Sequence, residues 1–241
     1  MISKFSLQPA VVLHKRPYKE TSYIIDFFTR EFGRVSAVAN GIRRPKSPLR
    51  ETFSPFSVLL ITCGGKSNLK KLFDSEVRYR PDYISNKTYS CLIYLNELIM
   101  AFLHKEDPYL NLFDNYVHIC KYMPQIEVQA EIEKYLRRFE LTLLQEIGYG
   151  IDLEKDADSG EELNSNLFYE FDPMTGFINR DHLKSINDQN FKGEDIINFS
   201  KGIFDSNRTR KTAKQITRKA IDFHLDGKEI KSRDFFLAGA K

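Results

Sequence analysis

The feature that most constrains this chain is a single change of period. Up to about residue 80 the apolar residues come in short runs rich in β-branched and aromatic side chains, and from Pro81 they recur at three- and four-residue steps. Ser22–Thr29, the turn Arg30-Glu31-Phe32-Gly33 and the alternating Arg34–Asn40 predict a β-hairpin. Ala10–Leu13 predicts a strand before it, and Phe56–Thr62 and Leu69–Val77, joined at Gly64-Gly65, predict two after it. Five short strands with no amphipathic helix between them imply a small closed barrel.

Beyond Pro81, Leu92, Leu95, Ile99, Phe102 and Leu103 trace one helix face, and Leu110, Phe113, Val117 and Cys120 a second. Val128, Ile132, Leu136, Phe139, Leu143 and Ile147 trace a third, with Gly148 as its stop. Residues 151–190 lose the pattern and crowd Asp152, Glu154, Asp156, Asp158, Glu161 and Glu162 together, so a solvated, acidic, loop-rich insert is expected there. A last helix is expected from about Thr209 to Leu225, with Ala213, Ile216, Ala220 and Phe223 inward. The expected fold class is therefore α+β, a barrel over 1–80 and a mostly helical domain over 81–241.

Charge is distributed along the chain by sign. Residues 1–80 carry 15 Lys and Arg against 6 Asp and Glu, and residues 201–241 carry 11 against 5. The middle is acidic, with 12 carboxylates against 4 cations over residues 151–200. Two basic ends point to a polyanionic partner. No apolar run approaches the roughly 20 residues of a membrane span, and Ala10–Leu13 is far short of a signal-peptide core. Three widely spaced cysteines, Cys63, Cys91 and Cys120, make no disulfide framework. A soluble protein of a reducing compartment, with no membrane partner, is the expectation.

Catalytic and metal motifs are missing. Gly65-Lys66-Ser67 imitates the end of a phosphate-binding loop, but Leu60 stands where that loop needs glycine. Asp156–Gly160 imitates the start of a calcium loop, but its glycine is one position early and Leu167 occupies the closing carboxylate position. His14, His104, His118, His182 and His224 have no ligand spacing, so neither metal nor cofactor is implied.

What remains is cationic and aromatic. Lys15, Arg16 and Lys19 lie in the expected link between the first two strands. Arg34 opens the third, Arg43, Arg44, Lys46 and Arg50 crowd a proline loop, and Lys70 and Lys71 follow the last turn. Tyr18, Tyr23, Phe27 and Phe53 are candidate stacking residues, although strand phenylalanines mostly face inward. Arg210, Lys211, Lys214 and Arg218 form a basic strip on the last helix. Cations beside flat rings suit nucleic acid, bound with strong salt dependence and little sequence preference.

Val11–Ser22, Phe28–Arg34 and Asn40–Ser47 resemble the N-terminal signature of the bacterial RecO family, and Tyr94–Leu98, Leu136–Leu141, Leu144–Gly150 and Gly227–Arg233 continue the resemblance in family order. The resemblance implies an N-terminal OB-fold and a helical domain. It implies a non-enzymatic mediator in the cytoplasm, associated with the nucleoid, that binds single- and double-stranded DNA and anneals complementary strands. It also implies action with RecR to load RecA, indirectly, onto strands coated by single-strand-binding protein. That protein's acidic C-terminal tail needs a cation beside an apolar pocket, and Arg137 and Arg138 are the candidates. Many members carry a four-cysteine zinc module after the Gly-Tyr segment, whereas Lys155–Glu162 has no cysteine, so the chain resembles the subgroup without zinc. A nucleic-acid-processing enzyme, with the acidic cluster holding magnesium, and an OB-fold RNA-binding factor are the alternatives.

Overall fold

A computed structural model describes residues 4–44, 52–180 and 190–234. By packing, the chain divides into two units, one running to Gln125 and taking back the chain from Ile230, the other spanning Ile126–Glu229. The change of period near residue 80 marks the end of the barrel strands, and the packing division falls later, after Gln125.

In the first unit, β1 (Lys4–Tyr18), β2 (Ser22–Thr29), β3 (Gly33–Ala39), β4 (Val58–Gly64) and β5 (Leu69–Tyr79) close into a barrel of order β1-β2-β3-β5-β4. All pairs are antiparallel except β3 with β5. Ala10, Val12, Ile25, Phe27, Val35, Ala37, Leu59 and Ile61 fill its interior. β2 is buried on both faces, because α1 (Asn86–Phe102) and α2 (Leu110–Tyr122) belong to the same unit. Phe28 meets Phe113 edge-on at 5.3 Å between ring centres. The Asn96 amide donates to Leu13 O at 2.7 Å, so helix and barrel share a buried polar tie.

The first strand is longer than its apolar core predicts. Lys15 to Tyr18 continue β1 opposite Ile25 to Ser22, where a link was expected. Pro17 is tolerated there because the pairing of β1 with β4 ends at Val11, leaving that edge without a ladder to break. The β2–β3 turn requires Gly33, which has φ 58° and packs so tightly that a Cβ would lie 1.8 Å from Asp107 O.

The second unit holds α3 (Gln129–Glu146), a three-stranded sheet of β6 (Phe168–Asp172), β7 (Gly176–Asn179) and β8 (Asn190–Lys192), then α4 (Gly193–Ser200) and α5 (Asn207–His224). The acidic stretch is more structured than a solvated loop. Asp156 is buried, and its carboxylate accepts from the backbone N–H of Asp158 and Ser159, both at 2.9 Å, and of Asn179 at 2.7 Å. Burial alone would raise its pKa, but the N–H groups of Ser159, Asn179 and Asp158 outweigh burial and hold it below the ordinary carboxylate value. On α5 the buried stripe runs through Ala213, Ile216, Ala220 and Ile221, and Phe223, expected inward, lies beyond its edge and is exposed.

Candidate nucleic-acid interface

The barrel brings part of the predicted cation set together. The Tyr23 ring, on β2, has Lys15 Nζ 5.7 Å and Arg43 Cζ 5.8 Å from its centre. Lys19 Nζ lies 5.5 Å from the Tyr18 ring centre. The loop after β3 is fastened to the β1–β2 turn, because Arg43 N–H donates to Thr21 O at 2.9 Å and its guanidinium to Lys19 O at 3.1 Å. Ser22 Oγ donates to Asn40 Oδ1 at 3.1 Å and pins the base of that loop. Two half-exposed rings and the cations Lys15, Lys19, Arg43 and the exposed Arg44 thus share one end of the barrel. Lys46 and Arg50 fall outside the described residues.

Other predicted residues have different tasks. Arg16 is half-exposed and reaches Asp26 at 3.4 Å, a buried carboxylate that also accepts from Ser36 Oγ. Arg34 turns away from solvent and donates to the carbonyls of Met100 and, at 2.9 Å, Leu103, satisfying the open C-terminal end of α1. Burial lowers its pKa, with Asp26 opposing. Lys70 is the clearest correction: its side chain is 0% exposed and its Nζ sits 2.6 Å from Glu106. A cation held inside the unit cannot reach a phosphate, whereas Lys71, on the other face of β5, is exposed. Phe27 and Phe53 are core residues meeting at 6.2 Å, so neither offers a face for stacking. Phe73, which sequence reasoning missed, is exposed beside Lys71.

In the second unit, Lys211, Lys214 and Arg218 form an exposed strip on α5, with Arg218 3.7 Å from Asp222. Arg210 is drawn off the strip, 3.4 Å from Glu133 and donating to Phe204 O at 2.9 Å. Arg137 is also a correction. Its side chain is 8% exposed, 3.0 Å from the fully buried Glu140 and donating to Thr217 Oγ1 at 2.9 Å, so it cannot receive a peptide carboxylate. Arg138 remains exposed. The signal that separates them was in the sequence: Glu140, three residues after Arg137, lies on the same apolar side of α3.

Cys63, Cys91 and Cys120 are buried and none is in a disulfide, and burial pushes the thiols of Cys63 and Cys120 up to about 12. Among the described residues no three His, Cys, Asp or Glu side chains converge as metal ligands do, and no helix is long and apolar enough to cross a membrane.

A family model described as "Recombination protein O N terminal" matches residues 2–79, and one described as "Recombination protein O C terminal" matches residues 86–234. The protein named DNA repair protein RecO from Marinobacter nauticus is 34% identical over 229 residues, 95% of this chain and 93% of its own. The proteins of the same name from Tolumonas auensis and Aliivibrio salmonicida are 35% and 36% identical, each over 96% of this chain and 95% of its own length. Together with a five-stranded barrel of OB order followed by helices, these matches show that the chain belongs to the RecO family of DNA repair proteins.

Proposed function

We propose that the chain is a non-catalytic mediator of recombinational repair that binds single- and double-stranded DNA and anneals complementary strands. Residues 1–80 carry the main DNA contact. The observation behind this is the grouping of Lys15, Lys19 and Arg43 around the Tyr18 and Tyr23 rings at one end of the barrel. Cations on the rim of a barrel neutralise two phosphate backbones while leaving base edges open for pairing, which annealing requires. The exposed strip Lys211, Lys214 and Arg218 on α5 is a further phosphate-binding surface, within the second unit.

Family membership supports the rest of the proposal. Acting with RecR, the chain helps load RecA onto strands coated by single-strand-binding protein, in the cytoplasm and at the nucleoid. Of the two arginines proposed for that protein's acidic tail, Arg138 is the one that can reach it.

The test is the slope of log affinity against log salt. Replacing Arg43, Arg44 and Lys46 by Ala should flatten the slope by roughly one unit per lost duplex phosphate contact, and less on single strands. An unchanged slope would show that these cations are ordinary solvated surface.

A further inference from the structure

We propose that the barrel has a second strand-binding surface, centred on Phe73, where a base of a single strand stacks while the flanking phosphates lie on Lys4 and Lys71. It rests on the barrel binding nucleic acid, but it concerns the opposite end of β1 from the Tyr23 cluster.

The starting observation is a pair of bulges facing one residue. The β1–β4 register passes from Phe5↔Cys63 to Gln8↔Ile61, so Ser6 and Leu7 share the place opposite Thr62. On the other side of β4, the register passes from Cys63↔Leu72 to Thr62↔Asp74, and Phe73 is the extra residue. Both neighbours of Thr62 therefore bulge at the same level. A bulge bends its strand and re-aims a side chain, and bulges gather beside functional sites. Leu7 adopts φ 52°, a region a branched side chain rarely occupies, and its N–H donates to Thr62 Oγ1 at 3.3 Å. The outcome is that Leu7 and Phe73 both stand out of the barrel, 61% and 55% exposed.

The charge around Phe73 says what such a ring is for. Lys4 Nζ lies 5.9 Å and Lys71 Nζ 5.6 Å from its centre. Lys4 and Lys71 both pair with Gly64 across β4, so the residue between the two lysines has no side chain to fill the gap. The nearest carboxylate along β5, Asp74, is turned back onto the N–H of Ser75 at 2.8 Å. An accessible ring between two cations matches an occupant with a flat π-face and a phosphate on either side, which is a nucleotide within a strand. The Tyr23 ring, between Lys15 and Arg43, repeats the arrangement at the far end of β1. Lys4 and Lys15 are eleven residues apart on that strand, at most roughly 37 Å at 3.2–3.4 Å per residue. Two strands can then occupy one barrel, as annealing demands.

The test uses the full chain, a labelled oligothymidylate, an abasic strand of the same length and an acidic peptide, read by fluorescence anisotropy. Phe73→Ala should weaken oligothymidylate binding by about tenfold, the scale of one base stacked on one ring, and leave abasic binding unchanged. Phe73→Tyr should restore the parent affinity. The pair Lys4→Ala and Lys71→Ala should weaken both strands. The proposal is overturned if Phe73→Ala binds oligothymidylate like the parent, or loses both strands equally. It is also overturned if Phe73→Ala keeps both strands and loses the peptide, which would make this a protein-binding surface. A parent chain that binds neither strand would instead overturn the nucleic-acid reading of the whole barrel.

Discussion

Replacing Arg137 by Ala should damage stability, not recognition. The guanidinium is 3.0 Å from Glu140, the two side chains are 8% and 0% exposed, and Thr217 Oγ1 accepts a further hydrogen bond at 2.9 Å. Taking the arginine away leaves a carboxylate in a dry setting beside an apolar stripe formed by Ile132, Leu136, Phe139 and Leu143. Breaking a buried pair from one side costs about 3–5 kcal/mol, because the remaining charge keeps its desolvation penalty and loses this ion pair. At about 2–4 °C per kcal/mol for a chain of this size, the melting temperature should fall by roughly 6–20 °C. Replacing both members with apolar residues of similar volume, Arg137→Met with Glu140→Leu, should recover most of the loss, since a packed apolar pair is often as stable as the ion pair. The assay is thermal unfolding of the parent, the single and the double variant, followed by circular dichroism. A single variant that melts within about 2 °C of the parent, or a double variant that melts no higher than the single, would refute the reasoning. Binding of an acidic tail peptide to the folded Arg137→Ala protein should equal that of the parent.

Two adjacent lysines should behave in opposite ways. Lys70→Ala removes a fully buried ammonium from Glu106 and should destabilise by about 2 kcal/mol while the folded protein keeps its DNA affinity. Lys71→Ala should leave stability within about 0.5 kcal/mol and flatten the salt dependence of binding, and salt titrations of both variants with their melting curves check this. Asp156 should give the protein an acid-sensitive component. Its pKa is lowered in the fold, so its contribution is fully present above the ordinary value of about 3.9 and is lost as pH falls through the lower folded value. Asp156→Asn should therefore be less stable than the parent at neutral pH by about 1.5–3 kcal/mol, and the difference should begin to shrink only below about pH 4, as urea unfolding at pH 7, 5 and 3 would measure.

The barrel was legible because its core obeys alternation. Ile25 and Phe27 on β2, and Val35 and Ala37 on β3, stand two residues apart and point into one interior. The ends of the strands were less legible. Lys15 to Tyr18 extend β1 through backbone pairing to β2, which no side-chain pattern announces, and the bulges that expose Leu7 and Phe73 arise from register against β4. The packing division after Gln125 was equally hidden, since it depends on Phe28 meeting Phe113 across a long stretch of chain. The tail helix followed its periodicity as far as Ile221, and only Phe223 escaped the stripe.

The charge of the first 80 residues shows why composition could find the partner's sign but not the contact residues. Fifteen cations against six carboxylates is a fact about the segment, while availability is set residue by residue by the fold. Arg34 is committed to the carbonyls at the end of α1, and Lys70 is closed in against Glu106. Arg30 is also engaged, forming paired bonds to Asp114 at 2.9 Å that raise its pKa. Those cations hold α1, α2 and the segment between them onto the barrel, so removing them would weaken DNA binding through loss of fold. Lys15, Lys19, Arg43, Arg44 and Lys71 are half-exposed or exposed, and they fall in two groups at separate ends of β1. Neutralising the scaffold cations should move melting temperature, and neutralising the two exposed groups should move the salt slope. A substitution that moves both quantities would mark a residue that serves fold and DNA together, and Arg16, half-exposed yet tied to the buried Asp26, is where that overlap is expected.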